Sequence, residues 1–166
     1  MSRQTSKPRN NKKNSKIKIK TSRFGELTVK KDTLIHFPEG IYGFEYAKEY
    51  ILLEHYKEGS PFKWLQAVKE PNLAFVIINP VDFIPDYTMQ LTEEDCNFIQ
   101  LKDSGDFALM TIVTIPGDEP QKLTANFKAP LIVNVSSRIG RQIILEDEKY
   151  LIKQPLFFEE IVPIKK

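Results

Sequence analysis

Cysteine is almost missing from this chain. Cys96 stands alone among 166 residues, which excludes an intramolecular disulfide and fits a reducing compartment, the cytoplasm. Apolar runs are short: none reaches the roughly 18 residues of a membrane span. The N-terminus lacks the apolar stretch of a secretory signal. Histidine is limited to His36 and His55, which with one cysteine is too little for a structural zinc site. The signatures G-x-S-x-G, G-x-x-x-x-G-K-[ST] and G-x-G-x-x-G are absent. Neither histidine belongs to an acid–nucleophile arrangement, and His36, between Ile35 and Phe37, reads as a satisfied barrel residue rather than a catalyst. Cys96 follows Glu94 and Asp95, neighbours that disfavour a reactive thiolate. Acid pairs such as Glu93/Glu94, Asp118/Glu119 and Asp82/Asp86 fall at turns or caps. A glycosidase would need two carboxylates facing one another, and no pattern argues for that. The expectation is no enzyme, no cofactor and no metal.

What is present is charge of two signs, held apart. Residues 1–20 carry eight basic side chains and no acid, leaving 16 basic against 22 acidic side chains on the other 146 residues, a net charge of −6. Residues 1–15, rich in Ser, Asn, Lys and Arg, read as a disordered basic tail. That tail is either a solvated extension or an arm for RNA or a membrane surface. The acidic body favours basic partners and discourages nucleic acid, so no direct nucleic-acid binding and no membrane association are expected of it.

Hydrophobic residues make up 41% of the chain, enough for a sizeable core in one domain. Short β-patterned runs separated by turns dominate. Ile17–Lys20 alternates, and Leu27–Val29 resumes after a turn at Phe24-Gly25. Leu34–Phe37, Tyr50–Glu54, Phe62–Val68, Leu73–Ile78, Phe107–Ile115, Leu123–Asn126, Leu131–Val135 and Arg141–Leu145 follow. The run at 73–78 is continuously apolar, as in a strand buried on both faces. Glu45–Tyr50 suits a helical turn, and Thr92 before Glu93-Glu94-Asp95 caps a short helix ending near Leu101. Arg138-Ile139-Gly140 reads as a hairpin turn. The spacing predicts a mainly β, antiparallel, barrel-like single domain with one or two short helices. Its core should include Trp64, Phe75, Ile77, Leu109, Ile132 and Ile144.

The most distinctive string is Ile35-His36-Phe37-Pro38-Glu39-Gly40-Ile41-Tyr42-Gly43-Phe44-Glu45. Neither a helix nor a central strand tolerates Pro38, Gly40 and Gly43 inside it. The segment reads as a shaped turn that aims Phe37, Ile41 and Phe44. It stands in an ordered set with Thr21-Ser22-Arg23-Phe24-Gly25-Glu26, Pro61–Val68, Leu73–Val76, Phe83-Ile84-Pro85-Asp86-Tyr87, Leu123–Asn134 and Gly140–Leu145. This set resembles the flagellar assembly factor FliW family over roughly Ile19 to Leu156. Tyr42 stands where that family usually has proline, and the basic tail is longer than the family's usual start.

The resemblance implies a FliW-like β-barrel domain over residues 16–156, with 157–166 as a C-terminal extension. It also implies a cytoplasmic, non-catalytic protein that binds flagellin as a chaperone. The same resemblance implies binding to the translational repressor CsrA, relieving its repression of flagellin synthesis. The alternative is an RNA-binding β-barrel that uses the basic tail. Partner contacts are expected at Glu39, Glu45, Asp82 and Asp86, acids that face either a basic partner or only solvent. Asn126 and Asn134 flank Ala129-Pro130. They mark either an exposed sheet edge open to an added strand or side chains satisfied in nearby turns.

Overall fold

The computed structural model describes residues 15–54, 57–103 and 105–156; most of the basic tail, His55 and the C-terminal extension lie outside them. A hairpin of β1 (Lys16–Thr21) and β2 (Gly25–Lys30) forms its own two-stranded sheet. The rest builds one nine-stranded sheet: β3 (Ile35–His36), β4 (Glu49–Glu54), β5 (Lys63–Ala67), β6 (Ala74–Ile78), β7 (Phe107–Thr114), β8 (Thr124–Ala125), β9 (Leu131–Asn134), β10 (Gly140–Gln142) and β11 (Gln154–Pro155). Its main path runs β10-β9-β7-β6-β5-β4-β3, with β8 and β11 branching from β7. Every ladder is antiparallel. One parallel bridge, His36 to Ile139, joins the two ends of the path, and the His36 amide donates to the Arg138 carbonyl at 2.8 Å. The sheet is thus rolled toward a barrel and stitched at one point rather than closed by a full ladder.

The strand period of two decides what lies inside. Leu131 and Val133 of β9 join Phe37, Ile41, Tyr50, Leu65, Ala67 and Ile77 in one core cluster, while Ile132 between them packs with Ile99 and Ile143. A further cluster gathers Ile78, Tyr87, Val113, Phe127, Tyr150 and Leu156 under β8 and β11. Burying a large apolar side chain of this kind contributes about 1.5–3 kcal/mol.

Several expectations need correcting. Ile144 is 60% exposed. Ile143 turns inward at 9% exposure, and alternation then sends Ile144 out. Phe75 and Leu109 do contribute, packing half-buried against the core clusters, whereas Trp64 is half-buried outside them. Glu45–Tyr50 forms no helix: a turn closed by the Ala47 amide on the Phe44 carbonyl leads directly into β4. β6, expected buried on both faces, is half-buried over Ala74–Val76 and buried at Ile77 and Ile78. The helix α1 (Glu93–Phe98) starts where the sequence places it. Thr92 accepts from the Asp95 amide and Asp95 reaches back to the Thr92 amide, a capping box.

Candidate functional site

The shaped turn is held from inside. The Phe37 amide donates to the Lys48 carbonyl at 2.7 Å, Gly40 to Phe37 at 2.9 Å and Phe44 to Ile41 at 2.7 Å. Phe37 and Ile41 are buried, and Phe44 meets Phe75 edge-on with centroids 5.0 Å apart. Gly40 is required twice over: its φ is +74°, and a Cβ there would stand 2.6 Å from the Cα of Glu45. A second glycine fixes the turn from below. Gly140, read from sequence as a turn residue, has no positive φ; the left-handed residue of that hairpin is Arg138, at φ +63°. Gly140 is small because the Phe37 ring lies on it, 2.5 Å from where a Cβ would be.

Next to Gly140, Arg141 gathers acids from two elements. Its Nε lies 3.1 Å from Glu39, its Nη1 3.1 Å from Asp95 and its Nη2 3.3 Å from Glu94. The guanidinium also stacks on the Phe98 ring, 4.4 Å from the centroid. Only 18% of the Arg141 side chain is exposed. Burial alone would ease its proton off, but the hydrogen bond it donates to Glu94 and the charges of Glu39 and Asp95 outweigh that and raise its pKa. One cation among three carboxylates leaves this corner negative. Tyr42, in the turn, and Tyr46, just after it, are 59% and 64% exposed. The Tyr42 amide donates to Gln142 Oε1 at 2.9 Å, a second tie from turn to β10.

The expected site residues divide into three groups. Glu39 is already engaged by Arg141 rather than free. Glu45 is exposed and accepts from the Gly43 amide at 3.0 Å; that bond and its own backbone amide hold its carboxyl below the ordinary range. Asp82 ends a short 3₁₀ turn, Pro80–Asp82, and lines a cavity of about 260 Å³ floored by Leu52, Ile77, Leu109 and Met110. Asp86 is exposed just before buried Tyr87.

Of the two readings open for Asn126 and Asn134, the geometry matches satisfied turns rather than an exposed sheet edge. β9 pairs with both β7 and β10, and β8 with both β7 and β11. The Asn134 amide donates to the Ile99 and Gln100 carbonyls at 2.9 and 3.0 Å, and its oxygen accepts from the Ser136 and Ser137 amides. Asn126 accepts from the Ala129 amide at 3.0 Å. Both satisfy turns.

Sequence reasoning passed over Arg141, Glu94 and Asp95 as a unit. The capping box at Thr92 was legible, but nothing in the spacing showed that β10 would cross beneath α1. Among the described residues, no group of three or more His, Cys, Asp or Glu is placed to hold a metal ion. No described helix is long and apolar enough to cross a membrane.

Residues 18–156 match the family model described as FliW protein. The chain is 41% identical over 143 residues to the flagellar assembly factor FliW of Caldanaerobacter subterraneus subsp. tengcongensis, covering 86% of this chain and 95% of that protein. It is 40% identical over 144 residues to the one from Natranaerobius thermophilus, covering 87% and 95%. A crystal structure of the flagellar assembly factor FliW superposes with a TM-score of 0.78 at 34% identity, covering 87% of this chain and all of that one. With the family model and the curated relatives spanning nearly the whole described body, this chain belongs to the FliW family of flagellar assembly factors.

Proposed function

We propose that this chain acts in the cytoplasm as a non-catalytic partner switch. It binds flagellin as a chaperone and, when flagellin is absent, binds the translational repressor CsrA and so relieves repression of flagellin synthesis. Residues 16–156 are the working unit, with 1–15 and 157–166 as appendages.

The observation that carries this reading is the negative corner at the shaped turn. Three carboxylates share one half-sunk guanidinium, and the turn also carries exposed Glu45 and Tyr42, with exposed Tyr46 just after it. A repressor that binds RNA phosphates presents basic surface. An acidic body meeting that surface gains most in association rate, over distances near a Debye length of about 8 Å at physiological salt. Exposed tyrosines add rigid contact area at an interface core.

The test is a titration calorimetry and stopped-flow series with purified flagellin and purified CsrA. CsrA association should slow markedly as salt rises while dissociation changes less, and Glu39→Gln and Asp86→Asn should slow it further. No binding to either protein, or a salt-independent association rate with CsrA, would contradict the proposal.

A further inference from the structure

β4, β5, β6 and β7 share an inward face. Tyr50, Leu52 and Glu54 alternate along β4, Lys63, Leu65 and Ala67 along β5, and Ala108 and Met110 along β7. Tyr50, Leu65, Ala67, Ile77 and Met110 belong to the central core cluster, and Leu52 packs against it. Glu54 and Lys63 take the inward positions where that core ends. They are register partners, and the Lys63 Nζ lies 3.4 Å from Glu54. The cavity of about 260 Å³ beside Asp82 sits here, floored by Leu52, Ile77 and Met110 and walled by Ala108, with Lys63 and Asp82 as its charged lining. It lies at the opposite end of β4 from the shaped turn, which enters that strand at Glu49.

The charges around this cavity do not cancel. Lys63 is matched by Glu54. Asp82 is exposed, and among the described residues its carboxylate makes no ion pair and accepts no hydrogen bond. One uncompensated carboxylate beside an aliphatic floor selects its occupant. An anion would face Asp82 and would have to break the Lys63–Glu54 pair. A neutral apolar group would strip water from Asp82 and offer no hydrogen bond in return. A single carboxylate is too few for a hard metal ion, which takes six or more oxygens. An aliphatic stem that ends in a cation satisfies floor and rim together. Size narrows the source: about 260 Å³ falls below the roughly 300–1,000 Å³ of small-molecule pockets and suits one side chain. Residues 21–166 carry a net charge of −6, which draws basic protein surface toward the rim.

We infer that this cavity is a socket for one lysine or arginine side chain presented by a protein partner. The stem lies on Leu52, Ile77 and Met110, and the charge meets Asp82. The socket is separate from the negative corner at Arg141 and does not depend on the partner-switch proposal, and it can be probed with no partner protein present.

The experiment follows the methionine methyl signals of the full chain by NMR as capped amino acids are added. The probes are Nα-acetyl-lysine N-methylamide, its norleucine and glutamate counterparts, and n-pentylamine. Met110 reports the cavity floor, and Met89, packed in the cluster around Ile99, is the internal control. Capped lysine should shift Met110 and not Met89, saturating over about 1–20 mM. It should bind about three- to fivefold tighter than capped norleucine, and Asp82→Asn should abolish that preference. Capped glutamate should leave Met110 unmoved. Ala108→Leu, which fills the cavity, should remove the Met110 shift for every probe. Asp82→Asn, at an exposed position, keeps the test open if Ala108→Leu fails to fold. An unmoved Met110 at about 50 mM capped lysine, norleucine or glutamate bound as tightly as lysine, a preference that survives Asp82→Asn, or a shift that survives Ala108→Leu would each overturn the inference. So would n-pentylamine binding more than about tenfold tighter than capped lysine, which would make the cavity a site for a free amine.

Discussion

Replacing Arg141 with Met should cost about 3 kcal/mol of stability, most of it through one of the three ion pairs. Methionine keeps most of the apolar stem, so the change isolates the guanidinium. Asp95 is the partner that matters: its side chain is 14% exposed and that of Arg141 18%, and a charge-assisted hydrogen bond in such a place contributes about 1.5–3 kcal/mol. Glu39 and Glu94 are 55% and 81% exposed, so solvent screening reduces each to about 0–0.5 kcal/mol. Stacking on Phe98 adds about 0.5–1 kcal/mol. Urea unfolding reads the total directly: with an m-value of about 2 kcal/mol/M, the midpoint should fall by about 1.5 M. The melting temperature should fall by roughly 6–12 °C. Repeating the comparison in about 1 M salt, where the Debye length is about 3 Å, should leave more than half of the difference, because the Asp95 contact is sheltered. Arg141→Lys should fall between the two, since a point charge cannot serve three carboxylates at once. A loss under about 1 kcal/mol, or one abolished by salt, would refute the view that Arg141 ties the turn to α1.

Gly40→Ala should destabilise by about 3 kcal/mol or more, measured by the same urea assay, because left-handed backbone strain of about 1–2 kcal/mol adds to a clash with backbone that cannot yield. Tyr50 is fully buried and its hydroxyl makes no hydrogen bond among the described residues, so Tyr50→Phe should be neutral or stabilising by up to about 1 kcal/mol. Tyr87 donates to the Phe127 carbonyl at 2.8 Å, so Tyr87→Phe should instead lose about 1–1.5 kcal/mol. Burial pushes the Tyr50 phenol up to about 12 and raises that of Tyr87 as well. Their stabilisation is therefore complete below the unfolded value of about 10 and is lost as pH rises through the folded values. Melting temperature should fall progressively above about pH 10, less steeply in Tyr50→Phe. Asn134→Ala should cost about 2–3 kcal/mol by thermal melt, since it leaves the Ser136 amide without its acceptor and removes the bonds donated to the Ile99 and Gln100 carbonyls, of which Ile99 keeps only Ser137.

The β architecture was legible because the signals for it are local. Alternation fixed β1 and β5, an apolar run bounded by Pro71-Asn72 and Asn79-Pro80 located β6, and Thr92 with Asp95 announced α1. What escaped was set by contacts far apart in sequence. The Glu39–Arg141 pair spans about a hundred residues, and Gly140 is small for the sake of Phe37, which no turn rule anticipates. An exposed edge was one of two readings open for Asn126 and Asn134, because proline often ends a sheet. Yet Pro130 precedes β9, whose two neighbours satisfy its backbone on both sides. Lys16, Lys18 and Lys20 were counted with the basic residues 1–20 because composition cannot show a face, whereas register sets them on one with Lys30.

The partner-switch account stands or falls on whether its two partners exclude one another. Calorimetric titration of CsrA into this chain, free and saturated with flagellin, measures that coupling. The account predicts CsrA affinity about 5–150-fold weaker in the flagellin-loaded protein, a coupling of about 1–3 kcal/mol, with the reciprocal loss when flagellin is titrated second. Equal CsrA affinity in the free and flagellin-loaded protein would contradict it.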